Sequence, residues 1–515
     1  MGKVVIAGAG IGGLATALYL SRAGHEVVLV ERDDTPLPAS AAEAFWWDRR
    51  GAPQVRHSHA FLARLRNQLL ADHPDVLAAL IDAGATELDF IAMLPEGMDR
   101  TPMPGDDELV ALACRRTTFE WVLRRSVLAD PLASLRHGVA VSGLHTAEPP
   151  PGADPTRAHV DGLVVDGGEV IPADLVVLAG GRRMDIPAMC AEIGGEVDER
   201  EQDTGIVYLS RFMCLRDGAE IPAQLGPIGG DLGYLKYAVF AGDNRTFSLT
   251  LAVDSSDREL RRRLADPEVF LRAVSALPAT AAHVDGRSEP MTDVEVMGGL
   301  INRRRRFTDA DGQPLVGGMV ALGDAHTATN PLYGRGCSLA FVQAGLLAEA
   351  IESTGGFGLE AAAAYEESSQ REVDPWYRAA VAQDRFGDQA ARRPERDGST
   401  QLTGSDDAGD PATDSAAEIG SGVADPDGGV AGADPGIQPE FMRSLLEEGL
   451  RPAIRDDPVV LRAFLAMFNL LRPPDALMTD QDVLGRIMAA YQDRHNREPE
   501  PALGPGRAEF IELLG

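Results

Sequence analysis

Lysine is almost missing from this chain: of 48 basic residues only Lys3 and Lys236 are lysines, and the rest are arginine. Basic charge of any kind is outnumbered, because 79 acidic residues leave a net charge of -31. That balance excludes nucleic acid as a partner, since phosphate binding wants a basic face. Cysteine is sparse, with Cys114, Cys190, Cys214 and Cys337 scattered and no CxxC pair. Zinc and iron–sulfur spacings are therefore absent, no metal site is expected, and no disulfide framework is implied. A reducing, cytoplasmic setting is expected. No window approaches the ~18 consecutive apolar residues of a membrane span, and no cationic stretch leads into an apolar run at the start, so neither integral membrane association nor a signal peptide is expected. What is present is ordinary for a globular protein, with 44% apolar residues. At 515 residues the chain exceeds what one core usually supports, which argues for two domains and an appendage.

The start of the chain carries the first chemical signal. Lys3 to Ala7 reads KVVIA, a short apolar run that suits a strand buried on both faces. Gly8, Ala9, Gly10, Ile11, Gly12 and Gly13 follow at once, then a helical pattern through Leu14, Ala17 and Leu18 with Gly24 as its stop. Glu26 to Val30 forms a second strand with Glu31 at its end. Each part has a task. Gly8 permits the tight turn, Gly10 lets the backbone approach a pyrophosphate, and Gly13 lets the helix pack closely on the strand. The helix N-terminus favours phosphate charge. Glu31 stands where a carboxylate accepts hydrogen bonds from a ribose hydroxyl. Strand, glycines, helix, strand and acid in this order indicate dinucleotide binding, without separating NAD from FAD.

Residues 319–345 supply the distinction. An apolar strand, Met319 to Leu322, ends in Gly323-Asp324, and a loop with Pro331, Gly334 and Gly336 leads into an apolar helix from about Ser338. This resembles the GD-containing segment of the para-hydroxybenzoate hydroxylase-like flavoproteins, in which the aspartate binds the ribityl chain and the helix start faces the pyrimidine edge of the flavin. Arg50-Gly51-Ala52-Pro53-Gln54-Val55-Arg56-His57-Ser58-His59 looks like a stretch of a bacterial subgroup that includes polyether epoxidases and related FAD monooxygenases. Leu112 to Arg116, with Glu120-Trp121 and Arg124-Arg125, matches a family helix whose arginine contacts the flavin nucleotide, Arg116 being the aligned position. The run Asn302 to Arg306 also looks like that subgroup, so the resemblance spans roughly residues 1 to 380. Fingerprint and resemblance together name as cofactor-binding Gly8, Gly10, Ile11, Gly12, Gly13, Glu31, Arg32, Arg50, Arg116, Val141, Gly323, Asp324, Pro331, Gly334, Gly336 and Cys337. His57 and His59 are either satisfied imidazoles of a polar loop or flavin-proximal, and Arg303 to Arg306 read as a solvated or carboxylate-paired surface.

Two departures from the family pattern stand out. Leu178 and Gly180-Gly181 occupy places where relatives carry an aspartate, leaving Arg182 as the recognisable member, which puts the mode of nicotinamide use in question. Arg335 replaces a common glutamine.

The fold class expected is α/β: a Rossmann-type FAD-binding domain (1–190 and 295–385) with an inserted mixed or antiparallel β substrate domain (191–294) and a C-terminal helical region. Thr204 to Met213 and Leu235 to Val253 carry the alternation of the inserted sheet. Residues 390–438 read as an acidic low-complexity linker, and 439–515 as a helical cap. The resemblance implies an FAD-dependent monooxygenase, a hydroxylase or epoxidase. It would use NADH or NADPH and O2 on an apolar or aromatic small-molecule metabolite, in secondary metabolism. Such chemistry needs a dry pocket and an oriented substrate rather than a protein nucleophile, and no catalytic acid–base set is evident. Tyr208, Arg211, Tyr234 and Tyr237 are candidates to face the flavin from the sheet. The alternatives are an FAD-dependent reductase or dehydrogenase similar to the geranylgeranyl reductases, and a non-catalytic flavin-binding protein. A halogenase is disfavoured: Trp46-Trp47 do not fit the WxWxIP stretch, and Lys3 and Lys236 lie in the wrong places for a relay lysine.

Overall fold

The computed structural model describes residues 1–94, 97–149, 155–221, 229–391, 439–498 and 502–515. Of the linker expected at 390–438, residues 392–438 lie outside the described residues, and 390 and 391 instead close the helix Leu359–Ala391.

Strand Lys3–Ala7 takes the centre of a five-stranded parallel sheet ordered 319–321, 175–178, 3–7, 26–31, 133–137. Its residues divide by parity. Val4 and Ile6 pack with Leu14, Leu18 and Phe341 of the helices Ile11–Arg22 and Gly336–Thr354, while Val5 and Ala7 pack with Val160, Leu163 and Ile171 of a three-stranded antiparallel sheet. Burial on both faces is why this strand reads as an unbroken apolar run. The chain leaves the sheet after 175–178 and returns to it at 319–321, so the Gly8–Gly13 loop and the Gly323-Asp324 turn emerge beside each other at the carboxyl ends of the strands, where ligands of open α/β sheets bind.

Between these two passes lies a six-stranded antiparallel sheet in which 206–215 and 246–254 form the longest ladder. Here alternation sorts the faces. Val207, Leu209, Leu249 and Leu251 pack under helices 258–264 and 267–275, whereas Tyr208, Ser210, Thr250 and Ala252 face the opposite way into a cavity. The final helix, Arg507–Leu514, inserts Phe510 and Leu514 into the covered side of this sheet. The other C-terminal helices, among them 458–468 and 481–492, pack instead on Leu62, Leu339, Val373 and Trp376, the last two from the long helix Leu359–Ala391. The architecture is mixed α/β with a parallel Rossmann-type sheet, additional antiparallel sheets and C-terminal helices. Among the described residues no helix is long and apolar enough to cross a membrane, and all four cysteines are free thiols.

Candidate active site

Two cavities meet at the seam between the parallel and antiparallel sheets. The first, of about 540 Å³, runs along the carboxyl edge of the parallel sheet; the second, of about 550 Å³, lies on the polar-facing side of the six-stranded sheet. His57, Ser58, Met297 and Pro331 line both.

The first cleft is built around two helix ends. Helix 11–22 starts from Gly10 and helix 336–354 from Arg335; neither has a side-chain cap nor an acid in its first turn. Both starting segments line the cleft, so free N–H groups and two positive dipole ends converge there. The glycines explain the close approach. A Cβ on Gly8, whose φ is +110°, would come within 2.6 Å of the Ala179 carbonyl oxygen, and one on Gly13 within 2.0 Å of the Gly8 carbonyl oxygen. A Cβ on Gly10 would meet nothing within 4 Å. Gly10 therefore borders open space while its neighbours are compressed.

Glu31 is held by an arginine-rich lattice. Its Oε2 accepts from Ala9 N at 3.1 Å and Arg49 Nη2 at 3.2 Å, and its Oε1 from Asp33 N at 3.1 Å. A carboxylate has about four acceptor positions, so one stays available to a ligand. Arg49 also reaches Glu120 at 2.8 Å and Asp33 at 3.5 Å. Arg124 donates to Ala9 O, and both guanidinium groups stack on Trp47. Burial and the neighbouring Arg49 push the Arg124 guanidinium down to about 10. Arg116 meets His59 Nε2 at 3.2 Å and Glu120 at 3.6 Å. On the opposite wall Asp324 Oδ2 accepts from Arg182 Nε and Nη2 at 3.3 and 3.2 Å, and Gly323 N donates to Gln343.

Of the residues singled out in the sequence, the structure brings Gly8, Gly10, Ile11, Gly12, Glu31, Arg32, Arg116, Val141, Gly323, Asp324, Pro331, Gly334, Gly336 and Cys337 to this one cleft. Gly13 lies behind the wall, in the helix–strand contact. Arg50 points away: it is exposed and pairs with Asp48, and its neighbour Arg49 is the buried residue that lines the cleft. Arg49 was the cleft residue missed, and its signal was only its presence in an arginine pair. Tyr208 and Tyr237 line the second cavity. Arg211 and Tyr234 do not: Arg211 donates to Thr292 O and Pro267 O, and Tyr234 to Pro505 O, among the helices behind the sheet. Arg303 and Arg305 pair with Glu199, and Arg304 and Arg306 with Asp374, although Arg304 and Arg305 are buried rather than solvated. Arg335 is buried between the rings of Tyr333 and Trp376, each 4.7 Å from its guanidinium carbon.

Comparison with known proteins agrees with this geometry. Residues 3–94 match the family described as FAD dependent oxidoreductase. Protein Rv3254 of Mycobacterium tuberculosis is 28% identical over 372 residues, 68% of this chain and 73% of its own. The structure of PqsL, a probable FAD-dependent monooxygenase from Pseudomonas aeruginosa, superposes with a TM-score of 0.53 at 16% identity, over 76% of this chain and 96% of that one. The flavin-dependent brominase Bmp2 gives 0.52 at 15%, over 76% and 89%. PqsL has also been crystallised with 2-aminobenzoylacetate. At such identities the two structures speak for the fold alone, which is that of flavin monooxygenases and halogenases alike. The chain is an FAD-dependent oxidoreductase.

Proposed function

We propose that the protein is an FAD-dependent monooxygenase that takes electrons from NADH or NADPH and inserts one atom of O2 into an apolar or aromatic small molecule. The observation that carries this reading is the shared wall: a cleft suited to a dinucleotide adjoins, across His57, Ser58, Met297 and Pro331, a separate small-molecule-sized chamber. The residues of the cleft fit FAD. The N-terminus of helix 11–22, with Gly10 and Gly12, would hold the pyrophosphate. Glu31 would take the adenosine ribose and Asp324, steadied by Arg182, the ribityl chain. The N-terminus of helix 336–354 would face the electron-accepting edge of the ring, where a positive dipole end favours the charge that builds on reduction. When bound, the flavin supplies two-electron reduction and the activation of oxygen. The protein contributes position: Tyr208, Ala238, Phe240, Ala252 and Leu332 give the chamber an apolar and aromatic wall, and Asp231, Lys236, Arg443, Glu447 and Arg451 also line it.

The test is consumption of NADH and NADPH in air and under anaerobiosis, followed by turnover with 18O2. Oxygen-dependent consumption and one labelled atom in the product support the reading. Product formation at an equal rate without oxygen indicates a reductase or dehydrogenase instead.

A further inference from the structure

His57 is more than nine-tenths buried and stands at the junction of the two cavities. Its Nδ1 is engaged with Ser210 Oγ at 3.2 Å, and its Nε2 has no hydrogen-bond partner among the described residues. A ring nitrogen that borders a cavity and carries no protein partner is free to hydrogen-bond a group of a ligand. Burial pushes the His57 imidazole down to about 4, which keeps the ring uncharged near neutral pH. An uncharged ring suits an uncharged partner.

Behind His57 runs a line of hydroxyls. Ser210 Oγ lies 2.9 Å from Thr250 Oγ1, which lies 2.6 Å from Ser58 Oγ, which lies 2.6 Å from Ser248 Oγ. In every link either oxygen can donate, so the line can point in two directions. When Nδ1 donates to Ser210, Nε2 is bare and accepts a hydrogen bond at the junction. When Ser210 donates to Nδ1, the ring proton sits on Nε2 and is offered there. His59 has no such freedom: its Nδ1 donates to His57 O at 2.8 Å and its Nε2 accepts from Arg116 at 3.2 Å. One imidazole is locked and the other is adjustable.

We infer that His57 determines substrate specificity: its Nε2 grips a single uncharged hydroxyl or carbonyl oxygen on an otherwise apolar compound in the chamber, and the Ser210–Thr250–Ser58–Ser248 line sets the tautomer that matches it. The inference rests on the chamber being the substrate site. It explains why His57, Ser210, Thr250 and Ser58 form one hydrogen-bonded group on the chamber wall, where an oxygen on the ligand fixes which carbon faces the flavin.

The test is calorimetric titration of the FAD-loaded protein with indan-1-ol, indan-1-one and indane, which share one shape. Alcohol and ketone bind about tenfold more tightly than the hydrocarbon, the scale of one buried hydrogen bond. H57F binds all three alike at an unchanged melting temperature, and H57Q, which keeps an amide there, retains part of the preference. In 15N-histidine spectra the His57 proton moves from Nδ1 in the alcohol complex to Nε2 in the ketone complex. Equal binding of the three by the unaltered protein, no binding of any, or a preference that survives in H57F overturns the inference. The heats do not require flavin. A protein that takes up no flavin yet keeps the preference sinks the flavin reading and leaves His57 in its role.

Discussion

Gly10 and Gly13 lie in one turn yet their substitution fails in opposite ways. A methyl group on Gly13 collides with the Gly8 carbonyl, whereas on Gly10 it projects into free space. G13A is expected to lose about 1–3 kcal/mol of stability through overpacking, read as a lower denaturant midpoint of the flavin-free protein. G10A melts like the parent but retains less flavin on gel filtration. Arg49 and Arg50 make a second contrast. R49A strips a buried guanidinium from Glu31, Glu120 and Asp33 and costs about 3–5 kcal/mol; R50A, exposed beside Asp48, stays within about 0.5 kcal/mol. Denaturant titration of the pair checks both. The glycines were legible in the sequence because each has a steric reason at a fixed offset. The arginine was not, because consecutive residues of a loop point to opposite sides and only the fold says which is inside. The buried histidines set an acid limit. Burial pushes His57 down to about 4; it does the same at His73, with Arg22 adding, and also depresses His59, with the help of Arg116. The unfolded chain then binds protons between about pH 6.5 and pH 4 that the folded chain refuses, so stability falls as pH drops through that window. The melting temperature is expected to decline from pH 7 to pH 5, and less steeply in H57F; a parallel decline in the two proteins contradicts this assignment.

At the scale of elements, periodicity carried most of the information. The unbroken run KVVIA becomes a central parallel strand, and the alternating runs become the ladder 206–215 with 246–254. The helix expected from about Ser338 begins two residues earlier, at Gly336, so its uncapped first turn reaches the cleft. Periodicity says nothing about which elements meet across long separations. The last helix was expected to join the C-terminal cap; instead Phe510 is fully buried against the six-stranded sheet, hundreds of residues away in the chain. F510A is expected to cost about 3–5 kcal/mol, measured by denaturant unfolding. The same limit explains Arg211, whose strand was recognisable but whose face was not, and Tyr234, which lies just before the strand Leu235–Ala241.

For the whole molecule, the FAD-dependent oxidoreductase class was legible because two separated segments, 1–31 and 319–345, each carry backbone-level signals, and the parallel sheet brings them together. The adjacency of cleft and chamber was not legible, since it depends on how the antiparallel sheet is set against the parallel one through residues as far apart as His57 and Tyr208. The central claim is that the cleft holds FAD. The most direct measurement is the visible spectrum of the purified protein, as isolated and after incubation with FAD and gel filtration. The account predicts the two-banded spectrum of an oxidised flavin at one FAD per chain. A protein that stays colourless through both steps contradicts it.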